Sequence, residues 1–111
     1  MEIADKIIIA KDFADNLGAR YRKDGENSGQ QFLEEILQAK FEKAAKGNYI
    51  LFIDLDKVWG YPSSFVSGSF GKLSTTHGGA DVLLKHIQFK SDENPIRLEK
   101  ILNEIKNPRK V

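Results

Sequence analysis

Short apolar runs alternate with segments of helical period along this chain. Lys6-Ile7-Ile8-Ile9-Ala10 is short and β-branched and predicts a first strand. Asp15-Asn16-Leu17-Gly18 is a turn signal, after which Ala19-Arg20-Tyr21-Arg22 predicts a second, short strand paired back on the first. Lys23-Asp24-Gly25 turns the chain again. Ser28-Gly29-Gln30-Gln31 opens the clearest helix. The Ser28 hydroxyl suits the N-cap, and Gln31, three residues on, completes a capping box. Phe32, Leu33, Ile36, Leu37, Phe41 and Ala44 recur at helical spacing on one face, and Gly47-Asn48 ends the helix. Tyr49 to Ile53 is apolar without alternation, which predicts a central strand covered on both faces. Asp54, Leu55 and Asp56 carry it to its carboxyl edge.

After Val58-Trp59-Gly60-Tyr61-Pro62, Ser63 or Ser64 is placed to cap a helix holding Phe65, Val66, Phe70 and Leu73. Gly68 and Gly71 lie inside that helix, where each costs about 1 kcal/mol against alanine. Their presence predicts close packing against another backbone. His77-Gly78-Gly79 is a break, Ala80 to Lys85 a short helix or turn, and Ile87-Gln88-Phe89 a last strand. Asn94-Pro95 starts a final amphipathic helix with Leu98, Ile101, Leu102 and Ile105, closed at Asn107-Pro108. The order predicts an α/β layer with some parallel pairing: about four strands flanked by three to four helices. Sites in such sheets lie off the carboxyl ends of the strands, here residues 54–64.

Composition narrows the function classes. The 111 residues fit one domain, with a core spanning about residues 6–106, and 41% apolar content is enough for one core. A net charge of +1 provides no long-range field toward nucleic acid or an anionic membrane. No cysteine is present, which removes disulfide, thiolate and cysteine-rich zinc chemistry and suits a cytoplasmic protein. The N-terminus has no basic region ahead of a long apolar stretch, so no signal peptide is expected, and no run is long enough to span a membrane.

The candidate chemistry is sparse. Ser63 and Ser64 have a bland reading as a cap and a sharper one as a phosphorylation site, because a phosphate there would meet free N–H groups and the positive end of the helix dipole. Asp54 and Asp56 read as strand-end carboxylates bonded to backbone, or as an acid–base pair. Arg20, Arg22 and Lys23 beside Tyr21 form a small basic cluster, either solvated or anion-binding. Only two histidines, His77 and His86, are present, so no metal site and no cofactor is expected. Trp59 and Tyr61 flank Gly60 and read as interface anchors or as packing. Gly68-Ser69-Phe70-Gly71-Lys72 resembles a phosphate-binding loop, but Val66 stands where the first glycine is required and Leu73 where Ser or Thr is required. Gly68 and Gly71 also fall inside a helical pattern, unlike the exposed basic loop of a KH domain.

The run from Leu51 to Val58 followed by Ser63-Ser64-Phe65 is similar to STAS domains, those of anti-sigma-factor antagonists and anion-transporter tails. Gly18-Ala19-Arg20-Tyr21, Ser28-Gly29, Ser63-Ser64-Phe65 and Phe70-Gly71, in that order, resemble a STAS-like family without an assigned function. That resemblance implies a mixed sheet flanked by helices and a function in binding other proteins. In the antagonist branch, the first serine of the turn is phosphorylated by a kinase with a GHKL-type ATP site. By position that residue would be Ser63, although the turn here reads Pro62-Ser63-Ser64-Phe65 where antagonists have Asp-Ser-Ser-Gly. The expectation is a non-catalytic module whose partner, an ATPase or kinase, is met by Trp59, Tyr61, Ser63, Ser64 and Phe65. The alternative is a phosphate-binding, nucleotide-binding or enzymatic subunit using Arg20, Asp54 and Ser63.

Overall fold

A computed structural model describes residues 1–110. Three strands form one parallel sheet in the order β1 (Ile3–Ile8), β2 (Ile50–Asp54), β3 (Ile87–Lys90). Five helices accompany it. α1 is the short Ile9–Asp12, and α2 runs through residues 29–47 with a π-helical stretch at Leu33–Leu37. α3 runs through residues 63–76 with a π-helical stretch at Ser67–Gly71, α4 is Ala80–His86, and α5 is Pro95–Lys106. Among the described residues, no helix is long and apolar enough to cross a membrane.

The fourth strand does not form. The segment expected to pair with β1 is irregular and ends in a 3-10 turn at Arg22–Asp24. Its carbonyls serve another purpose: Ala19 and Arg20 accept from the N–H groups of Gly29 and Gln30 at 2.8 and 2.9 Å. They satisfy free donors at the start of α2, so they are not available to a β-ladder. Ser28 caps α2 as expected, its hydroxyl accepting from the Gln31 N–H at 3.0 Å. The reciprocal bond of the capping box is displaced by one residue, since the Gln31 side chain accepts from the Asn27 N–H at 3.1 Å. Asn48, in the left-handed region at φ 57°, ends α2.

In register, Ile7 lies beside Ile53 and Leu51 beside Ile87, and these four side chains build the sheet's contribution to the core. The opposite face differs from the expectation of full cover. Lys6, Phe52 and Gln88 lie side by side there; Lys6 and Gln88 are exposed and Phe52 is only partly buried. Polar neighbours on both edge strands leave that face open to water. The core centres on Phe32, whose ring lies 5.2 Å from Phe13, 5.7 Å from Phe65 and 6.0 Å from Phe70. Gly68 meets backbone as expected: a Cβ there would stand 2.8 Å from the Arg20 carbonyl oxygen. Gly71 instead lies against a side chain, the carboxylate of Glu104.

Candidate functional site

The carboxyl edge of the sheet carries a loop, residues 55–62, that is fastened at several points. Leu55 N–H donates to the Lys90 carbonyl at 2.8 Å, extending the β2–β3 ladder by one bond. Lys57 takes a left-handed conformation, φ 63°, that turns the chain away from the sheet, and its N–H donates to Glu93. The Tyr61 hydroxyl donates to the Leu55 carbonyl at 2.8 Å, tying the end of the loop to its start. Trp59 N–H donates to the Asp15 carbonyl, and Arg97 Nη2 donates to the Trp59 carbonyl at 3.2 Å. The Arg97 guanidinium also lies 5.6 Å from the Tyr61 ring centre. On this fixed loop Trp59 is 78% exposed.

Two residues expected to face a partner are inside. Tyr61 is 8% exposed and Phe65 is fully buried in the cluster around Phe32. The phenol fills the underside of the loop while its hydroxyl finds a carbonyl, and burial pushes its pKa above the ordinary phenol value, the Arg97 charge opposing. Neither serine caps α3. Pro62 occupies the N-cap, and its carbonyl accepts from the Val66 N–H at 3.1 Å. Ser63 and Ser64 therefore fall on the first two helical positions. Ser63 is exposed, Ser64 is half-buried, and neither hydroxyl makes a cap bond.

Asp54 and Asp56 part company. Asp54 accepts from the Asp56 N–H at 2.9 Å, as a strand-end carboxylate does. Asp56 is buried and accepts from Lys90 Nζ at 2.6 Å and from the N–H groups of Asp92 and Glu93 at 3.2 and 3.1 Å. Lys90 also reaches Asp92 at 3.2 Å and Asp54 at 3.9 Å. Burial pushes the Asp56 carboxyl up. The Lys90 bond, the two N–H bonds and the Lys90 charge outweigh that and hold it below its ordinary value. Lys90, bonded to Asp56 and Asp92, is held well above the usual lysine range. The arrangement is a structural knot that joins the β2 loop to the start of α5.

Asp56→Asn is expected to destabilise the fold by about 2 kcal/mol near pH 7, the usual cost of losing hydrogen bonds to a buried charge. The folded pKa lies below the unfolded 3.8, so the ionised group's contribution is complete above about pH 4 and is lost as pH falls through the folded pKa. Denaturant unfolding near pH 7 and near pH 3 should show the gap between variant and parent closing in acid. A gap that widens there would contradict this role.

Arg20, Asp54 and Ser63 do not converge. Arg20 lines a cavity with Tyr21, Gln30, Glu34, Ser67 and Lys72. Ser63 lines another with Tyr61, Lys100, Asn103, Glu104 and Arg109. Asp54 lines neither. Among the described residues, no group of three or more His, Cys, Asp or Glu side chains is placed to hold a metal ion.

Arg97, Lys90 and Glu104 shape this region although the sequence alone does not single them out. Lys90 is within reach of such reasoning, since β3 parallel to β2 sets its end beside Asp54. Glu104 and Arg97 sit on an ordinary amphipathic helix and carry no local signal.

A fixed loop at the carboxyl edge of a parallel sheet, followed by a helix opening on two serines, is the layout expected of a STAS-like domain. A family model described as a STAS-like domain of unknown function matches residues 28–97, and the chain belongs to that family. The matched span includes Ser28-Gly29, Ser63-Ser64-Phe65 and Phe70-Gly71, while Gly18-Ala19-Arg20-Tyr21 precedes it. No curated protein and no solved structure gives a significant match.

Proposed function

We propose that this domain is a non-catalytic regulatory module that binds a protein partner through the loop from Trp59 to Ser64, with an ATPase or kinase of the GHKL type as that partner. The observation that carries the reading is a tryptophan with 78% of its surface exposed on a loop fastened at both ends and in the middle. A large aromatic on a backbone already fixed leaves little chain to be ordered on binding and contributes much contact area. Tyr61 and Phe65 support the loop from beneath. The contact set is therefore Trp59, Ser63 and Ser64. The module acts in the cytoplasm, a compartment that a cysteine-free chain suits.

Phosphorylation of Ser63 or Ser64 is the proposed switch. Both stand on the first turn of α3, whose free N–H groups favour an anion. Lys100 and Arg109 line the same cavity as Ser63. A phosphate would add about −1.5 to −2 charge at the edge of the docking surface. Affinity capture of the tagged chain from its own cells, with mass spectrometry of bait and partners, tests both halves. A GHKL-type ATPase retained by the parent chain, at least about tenfold more weakly by Ser63→Glu, Ser64→Glu, is the expected result; 1.4 kcal/mol corresponds to that factor. Equal retention by the doubly substituted chain would remove the switch.

A further inference from the structure

Between α2 and α3, a cavity of about 230 Å³ is lined by Arg20, Tyr21, Gln30, Leu33, Glu34, Ser67, Gly68 and Lys72. Three features set it apart from an ordinary surface dent. The first is unbalanced positive charge. Lys72 and Arg20 make no ion pair with a carboxylate among the described residues, whereas the one lining carboxylate, Glu34, is held by Arg22 at 3.1 Å and by the Gln30 amide at 3.4 Å. The second is an orphaned donor: among the described residues Arg20 Nε, like Arg97 Nη1 elsewhere in the fold, is buried without an acceptor. Buried donors are normally bonded, and leaving one unbonded is costly.

The third feature is Ser67. Three hydroxyls further along α3 turn back onto the helix: Ser69 to the Phe65 carbonyl, Thr75 to Gly71 and Thr76 to Lys72. Ser67 is 5% exposed, and among the described residues no such bond holds its hydroxyl. It opens the π-helical stretch Ser67–Gly71, a departure from regular helix of a kind that recurs at functional sites. Beside these polar groups lie Leu33 and the partly exposed ring of Tyr21, with the Arg20 guanidinium 6.0 Å from the ring centre.

We propose that this cavity binds a small phosphate monoester bearing a planar apolar group. The phosphoryl oxygens would take the free donors of Arg20, Lys72 and Ser67, and the planar group would lie against Tyr21 and Leu33. A forked guanidinium and a point-charge ammonium together suit a dianion. The volume falls below the roughly 300–1,000 Å³ of sites for drug-sized ligands, so the occupant is small. This site shares no residue with the loop and does not depend on the loop's function.

The test is a titration of the isotopically labelled chain, followed by amide shifts, with phenyl phosphate, inorganic phosphate and phenol in turn. Phenyl phosphate is expected to give saturable shifts at Arg20, Ser67, Gly68 and Lys72, inorganic phosphate to bind more weakly at the same residues, and phenol not to bind. Lys72→Gln, on an exposed side chain, and Arg20→Lys, which keeps the stem packed on Gly68, should each weaken phenyl phosphate roughly tenfold. Lys46→Gln, outside the cavity, should leave binding unchanged. No saturable shift up to about 10 mM, the weak end of specific affinity, or undiminished binding by Lys72→Gln would overturn the site. Inorganic phosphate or phenol binding as tightly as the ester would overturn the assignment of an ester.

Discussion

Gly29→Ala is expected to cost the fold about 3 kcal/mol, although alanine is the better helix former. A Cβ at this position would fall on the Phe65 carbonyl oxygen and stand 3.1 Å from both Gly68 C and Ser69 N. These are backbone atoms of α3, which cannot rotate away as the tip of a side chain can. The first turn of α2 has no freedom to retreat. Its N–H groups are bonded to Ala19 and Arg20 behind it, and Phe32, one turn on, is fully buried among three other aromatic rings. Helix propensity would return at most about 1 kcal/mol, so the steric cost decides the sign. Against a typical domain stability of roughly 5–15 kcal/mol the loss is large. At about 4–8 °C per kcal/mol it lowers the melting temperature by well over ten degrees. Gly60→Ala is the control, since a Cβ added at that loop position would meet nothing within 4 Å. Thermal and denaturant unfolding of both variants should separate them cleanly. A Gly29→Ala chain within about 0.5 kcal/mol of the parent, the scatter of ordinary surface changes, would show that α2 and α3 are not held in backbone contact.

That contact explains which parts of the fold are legible in the sequence. Ser28-Gly29 is readable as a helix start because its chemistry is local: a hydroxyl within reach of the Gln31 N–H. The break at His77-Gly78-Gly79 and the Asn94 cap of α5 are local in the same way, and both stand where the sequence places them. The segment from Ala19 to Arg22 reads as a strand because its aromatic and basic residues suit one. The donors that claim its carbonyls belong to a helix end about ten residues later, which no strand propensity registers. The serines of α3 read as caps, and fail to be caps, for a related reason. Pro62 fixes its own φ near the value a cap region accepts, and its carbonyl takes the first helical bond, so the helix begins one step earlier than a serine cap would allow. At the site itself, the position of the loop follows from the alternation of strands and helices. Which of its two aromatics faces water does not, because the choice turns on the Leu55 carbonyl and on Arg97, which lies 38 residues from Trp59.

Trp59→Ala is expected to weaken binding of the proposed partner by roughly a hundredfold, about 3 kcal/mol, while leaving the fold unchanged within about 0.5 kcal/mol. Both halves follow from one geometry. The indole contributes almost nothing to the core, since 78% of its surface is in water, and the bonds that hold the loop at this residue use its backbone N–H and carbonyl, which alanine keeps. Removing the ring therefore takes away contact area without loosening the scaffold that presents it. Tyr61→Phe is the converse change. It spares the surface but deletes the hydroxyl that closes the loop onto Leu55, so it should lower stability by about 1 kcal/mol and reach binding only through the loop's order. Trp59 is the single tryptophan of the chain, so its own fluorescence reports the event: emission typical of an indole in water when free, shifted to the blue when a partner covers the ring. Retention of partner by Trp59→Ala at parental affinity, or a blue shift absent on binding, would place the docking surface elsewhere on the domain. Loss of binding together with a fall in melting temperature would mean that the ring supports the fold, and its exposure would no longer argue for a partner.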